Sequence, residues 1–153
     1  MAVRFSMGLR NNMLDSIGLR ESFANGVLKI YSGVQPSSSN DPAPGVLLLE
    51  VSVDGLPFNP GVSTNGLNFD IPVSAIVSKA VGENWQGSGI ASGTAGWARL
   101  CGNMADPGSL SETLPRIDMS VAKTGADLNL SNTAIVVAAP TTVDIFSVTM
   151  AET

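Results

Sequence analysis

Apolar residues recur at two different spacings along this chain, and the change falls near residue 26. Phe5, Leu9, Met13 and Ile17 stand four apart, with Leu14 widening the stripe, which is the pattern of a helical face. Ser6 is a suitable N-cap, so a helix over 7–17 is predicted. Gly8 weakens it and Gly18 interrupts or ends it. A second short turn over 19–24 should stop at Asn25-Gly26.

Beyond that point the period is two. Residues 27–32 read as a strand, with Val27, Lys29 and Tyr31 on one side and Leu28 and Ile30 on the other. Residues 46–53 follow the same rule, as do 95–101, where Trp97, Arg99 and Cys101 oppose Ala98 and Leu100. Shorter candidates lie at 67–69, 73–77, 117–121, 127–130, 134–138 and 142–150. Proline and glycine mark long connections at 35–45 and 55–66, and 83–96 reads as a glycine-rich loop carrying Trp85. Such connections are contact elements or mobile.

About eight short strands without alternating helices predict a mainly β protein. The expected form is an antiparallel β-sandwich or jelly roll with an amino-terminal α-helix. The domain reading is a helical arm over 1–26 and one sandwich over 27–153.

Charge sharpens the division. The net charge is −5, yet residues 1–29 hold four bases against two acids, and the remainder holds four bases against eleven acids. A mildly basic arm on an acidic body suits an acidic partner and argues against nucleic acid, which needs a basic footprint. Charged residues are 14% of the chain, well under the roughly 25% usual for soluble domains. Mean hydropathy is +0.24. A surface so poor in charge fits a protein held against neighbours, or simply a compact domain rich in small residues.

Reactive side chains are few. The chain has no histidine and one cysteine, Cys101. That removes Ser-His-Asp and Cys-His arrangements and ordinary zinc sites, and an intrachain disulfide is impossible. The acids are dispersed without a calcium-loop pattern, and residues 87–96 lack the lysine and following helix of a phosphate loop. A pair of carboxylates meeting only in the fold stays open. No enzyme activity, cofactor or metal is expected. No apolar run is long enough for a membrane span, and the first residues lack a signal-peptide core. Synthesis and folding in the cytoplasm are therefore expected.

Aromatics remain. Trp97 reads as core. Trp85 is either a lid over the sandwich end or an anchor for a neighbour or a glycan, and Tyr31, beside Lys29, reads as half exposed. The helical stripe serves either its own core or a docking arm.

The segment GLRNNMLDSIGLRESFANGVLKIYSGVQP at 8–36 resembles the start of small proteins of tailed bacteriophages and prophages. Similar too are GTAGWARLCGN at 93–103, PRIDMSV at 115–121 and TGADLNLSNTAIV at 124–136. The resemblance implies a non-enzymatic component of the virion, and first a capsid cement (decoration) protein on the outside of the shell. It would be made in the host bacterial cytoplasm, bind the major capsid protein, and form dimers or trimers through sheet edges and loops. Leu9, Arg10, Met13, Ile17, Arg20, Tyr31 and Trp85 are the candidate docking residues, and loss of residues 1–20 should leave a folded body without decoration. The alternatives are a tail, baseplate or head–tail connector component, and a carbohydrate- or receptor-binding sandwich using Trp85 with Asn84 and Gln86.

Overall fold

A computed structural model of the chain describes residues 3–152. Strand β1 (Arg4–Phe5) leads into helices α1 (Met7–Leu14) and α2 (Leu19–Ser22). Then come β2 (Val27–Ser32), β3 (Leu47–Val53), β4 (Ile76–Ser78), β5 (Trp85–Ser88), β6 (Gly93–Cys101) and β7 (Arg116–Ala122). Short strands β8 (Leu128–Asn129), β9 (Ala134–Ile135), β10 (Pro140–Val143) and β11 (Ser147–Thr149) follow. The protein is mainly β, as its alternation requires.

The long strands form one antiparallel path in the order β1-β7-β6-β2-β3-β5-β10. On its flanks β8 runs parallel to β7 and β9 pairs with β6. Strands β4 and β11 make a separate two-stranded sheet. Leu28 and Ile30 of β2 lie opposite Leu100 and Ala98 of β6, and these lie opposite Ile117 and Met119 of β7. All six are buried. With Leu49 and Val51 they form the apolar side of the large sheet. Phe69, Val77, Trp85, Phe146 and Val148 join the same core. The rings of Phe69, Trp85 and Phe146 meet at 5.4–5.8 Å, within the range of favourable aromatic pairing.

The amino-terminal segment is built into this body. Ser6 caps α1 by accepting the Leu9 amide at 3.2 Å. The same hydroxyl accepts the Arg116 amide at 2.9 Å and donates to the Leu114 carbonyl at 2.8 Å. Arg4 and Phe5 pair with Asp118 and Ile117. Gly8 lies so close to the Thr113 carbonyl that a Cβ would clash with backbone. Leu9 and Phe23 are fully buried in the common core. The described part of the expected arm is therefore continuous with the sheet, because Phe5, Leu9 and Met13 of its apolar stripe cover the chain's own interior, while Leu14 and Ile17 are exposed.

Three local expectations are corrected. The helix stops at Leu14 rather than 17, where Asp15 turns to extended backbone; Asp15-Ser16 favours local side-chain bonding over helix. Residues 83–96 contain strand β5 and the start of β6 instead of a loop. Residues 142–150 are two strands, since Val143 pairs with Trp85 in the large sheet and Val148 pairs with Val77 in the small one.

Candidate functional site

The second face of the large sheet is ionic. Cross-strand register aligns Arg4, Asp118, Arg99, Lys29 and Glu50 in one row over β1, β7, β6, β2 and β3. Arg99 grips Asp118 with two hydrogen bonds, Nε to Oδ1 at 2.7 Å and Nη2 to Oδ2 at 2.8 Å. Arg116, one step along β7, grips Asp106 likewise at 2.7 and 2.6 Å. Both arginines and Asp118 are fully buried and Asp106 nearly so. Fork-to-fork pairing of this kind is the strong form of the ion pair, and it supplies the hydrogen bonds that buried charge demands.

The cover over this face is loop. Residues 33–46 and 102–115 lie across it, and their carbonyls take the donors the carboxylates leave over. Arg99 donates to the Asp41 carbonyl at 3.2 Å and Arg116 to the Ser109 carbonyl at 2.8 Å. Lys29 donates to the Asp106 carbonyl at 2.8 Å and Arg4 to the Pro36 carbonyl at 2.9 Å. Two long connections that composition reads as mobile or as contact elements are thus pinned from below. Tyr31 and Trp97 stack at 4.5 Å, and the Arg99 guanidinium lies 5.3 Å from the Trp97 ring centre. Trp97 Nε1 and Arg99 Nη1 are buried without an acceptor among the described residues. The cation–π contact between these two residues offsets part of that cost.

Burial governs the titratable groups here. It would raise the Asp106 carboxyl, but hydrogen bonds from Arg116 and the Gly108 amide bring it below its ordinary value. Burial pushes the Tyr31 phenol up to about 12 and raises the Cys101 thiol too. Cys101 is therefore a protonated, unreactive core thiol. Arg4, Lys29, Arg99 and Arg116 are the groups that tie the sheet to the loops.

The structure divides the expected docking residues. Leu9, Tyr31 and Trp85 are buried and present no surface to a partner. Tyr31 lies in the layer beneath the loops rather than half exposed. Trp85 sits in β5, and its Nε1 donates inward to Glu83 Oε2 at 2.9 Å. With that ring enclosed, the sugar-binding reading loses its aromatic platform, although Asn84 and Gln86 are accessible. Met13 is half-buried, packed against the core. Arg10, Ile17 and Arg20 face solvent, and Met7 and Leu14 join them at this helical corner, Leu14 being 88% exposed.

Surface charge also differs from the sequence count. Five bases and five acids are buried or half-buried, so they cancel. The exposed set is three bases, Arg10, Arg20 and Lys123, against eight acids. Within residues 3–29 the exposed charges are Arg10 and Arg20 against Asp15 and Glu21. The basic character of the amino-terminal block is spent inside, through Arg4 and Lys29.

One surface feature was not anticipated. Val73 and Ile76 exchange backbone hydrogen bonds at 2.9 and 3.0 Å, closing a tight hairpin. Its central residues, Ser74 and Ala75, have φ of 52° and 61°. Such turns ordinarily use Asn-Gly, because a Cβ is strained at positive φ. Ile71, Val73, Ile76 and Met150 are all exposed around it. An apolar pocket of about 220 Å³ opens beside it, between Gly18, Leu19 and Arg20 on one side and Pro72, Ala75, Val77, Val148 and Met150 on the other. The signal in the sequence was the uncharged run 71–78, which the split at Pro72 hid.

No family model matches the chain, and neither does any curated protein or solved structure.

Proposed function

We propose that the chain is a non-enzymatic virion structural protein of a tailed bacteriophage, a capsid cement protein that binds the outer surface of the major capsid lattice. The observation that carries this reading is the helical corner. Met7, Arg10 and Leu14 project outward from a helix whose inner residue, Leu9, is locked into the core, and Ile17 is exposed in the connection that follows. A rigidly seated helix that turns large apolar side chains and an arginine to solvent is suited to contact. The resemblance of segments 8–36, 93–103, 115–121 and 124–136 to phage proteins supplies the setting. The engagement of Arg99, Arg116, Asp106 and Asp118 in pairs supports a scaffold rather than a reaction. Many copies, each making a modest contact, stabilise a shell by avidity.

Cutting away residues 1–20 would remove Leu9 and the Ser6 bonds from the body, so surface substitutions are the cleaner test. Purified chain carrying Leu14→Glu and Ile17→Glu is mixed with undecorated capsids of the phage that encodes it. The expected result is at least about a tenfold loss of occupancy with an unchanged melting temperature; both positions are exposed, where substitutions cost within about 0.5 kcal/mol. Full occupancy overturns the assignment of the corner. Imaging the intact particle tests the wider reading: copies on the order of hundreds over the shell support it. A few copies at the tail or the connector would move the protein there.

A further inference from the structure

We propose that Asn40 latches the helical corner to the two loops over the ionic face, so that the first turn of α1 and residues 33–46 and 102–115 hold or open as one unit. A helix begins with amides that no preceding turn can satisfy. In α1, Ser6 accepts the Leu9 amide at 3.2 Å, while the Met7 amide donates to Asn40 Oδ1 at 2.8 Å, 33 residues along the chain. The corner is thus capped twice, by its own N-cap and by the first loop.

Asn40 is in turn a junction of the two loops. Its carbonyl accepts the Ser111 amide at 2.9 Å, and Ala43 donates to the Gly108 carbonyl at 2.8 Å. Beneath them one buried guanidinium reaches both. Arg116 Nη1 donates to the Ser39 and Asn40 carbonyls at 3.3 and 3.4 Å, and Nη2 donates to the Ser109 carbonyl at 2.8 Å. Nε and Nη2 of the same side chain hold the Asp106 carboxylate of the second loop. The Arg116 amide donates to the Ser6 hydroxyl, which donates to the Leu114 carbonyl, so the path returns to the start of the helix.

The loops have little else to seat them. Among the described residues neither contains a helix or strand, and none of their Val, Leu or Met side chains is buried. Segments placed by hydrogen bonds rather than by apolar burial open below the free energy of global unfolding, and those that share bonds open together. By linkage, a partner that binds the seated corner also holds the loops closed, and loops that open release the corner. The latch belongs to the isolated chain and does not depend on the virion reading.

The test is amide exchange of the full chain, resolved by residue, at rising denaturant below the unfolding transition. The Met7, Ala43 and Ser111 amides should open with one free energy and one denaturant slope, at least about tenfold more often than the amides of β2 and β6. A Met7 amide that opens at least about tenfold more often than the other two overturns the proposal, and so does opening of all three only with the sheet. Asn40→Ala should speed all three by the same factor, about tenfold or more, and Asn40→Asp, which keeps an acceptor for the Met7 amide, should return them to near the wild-type rate. Acceleration confined to Met7, or no rescue by Asn40→Asp, overturns the assignment of Asn40.

Discussion

The two faces of the large sheet are alternate residues of the same strands, yet they are held by different physics. Leu28, Ile30, Ala98, Leu100, Ile117 and Met119 face a core of apolar side chains that tolerates gradual change. Val27, Lys29, Arg99, Cys101, Arg116 and Asp118 face a layer in which two loops are tied down by forked ion pairs and carbonyls. The apolar face needs only the right volume. The ionic face needs every partner present, because a buried charge that loses its mate costs more than the pair gained. Alternation along a strand thus separates a forgiving layer from an all-or-nothing one.

The sharpest way to break this comparison is on β6. Arg99→Met leaves the Asp118 carboxylate buried and unpaired and should cost about 3–5 kcal/mol in denaturant unfolding. Arg99→Met with Asp118→Leu should recover most of that loss, since apolar replacement of a whole pair is often neutral. A double variant no better than the single one would show that the Asp41 carbonyl and the Trp97 stack matter more than the ion pair. The neighbouring Leu100→Ala, on the apolar face, should cost about 3 kcal/mol, with no compensating second substitution of this kind. Near-equal behaviour of the two sites in double-variant cycles would erase the distinction.

A smaller effect sharpens it by pH. The Asp106 carboxyl is lowered in the folded chain, so its contribution to stability is complete above the ordinary carboxylate value. It is lost as pH falls through the lowered value. Unfolding free energy measured from pH 7 down to pH 2.5 should therefore decline at the acid end. Asp106→Asn should start lower and decline less steeply. Parallel curves for the two proteins would remove Asp106 from the account.

The apolar face was legible in the sequence, and the ionic face was not. The period of two placed Leu28 with Ile30 and Ala98 with Leu100 correctly, and Ser6 announced its helix. The same rule put Lys29, Tyr31 and Arg99 on the opposite side, but it read Tyr31 as half exposed and gave Arg99 no partner. Only register across strands reveals that Arg99 meets Asp118, and register depends on loops that carry no periodic signal. Strand β5 escaped notice because Gly87 and Gly89 look like loop residues. Their lack of a side chain is required by the backbone of Glu50 and Val136, each close enough to clash with a Cβ. Trp85 was misplaced with that strand. The candidate docking residues on the helix mixed the buried Leu9 with the exposed Arg10 and Ile17, because the four-residue spacing runs on past Leu14, where the helix itself ends.

The Ser6 hydroxyl, which joins the first turn of α1 to the backbone of Leu114 and Arg116, sets an order of events during synthesis. Its partners lie 108 and 110 residues downstream. At roughly 5–20 residues per second, the beginning of the chain leaves the ribosome roughly 5–20 s before β7 exists to receive it. Throughout that interval Phe5 and Leu9 have nothing native to cover them. Ser6 is thus a contact between distant parts of the sequence, and it cannot form until both of its partners have been made.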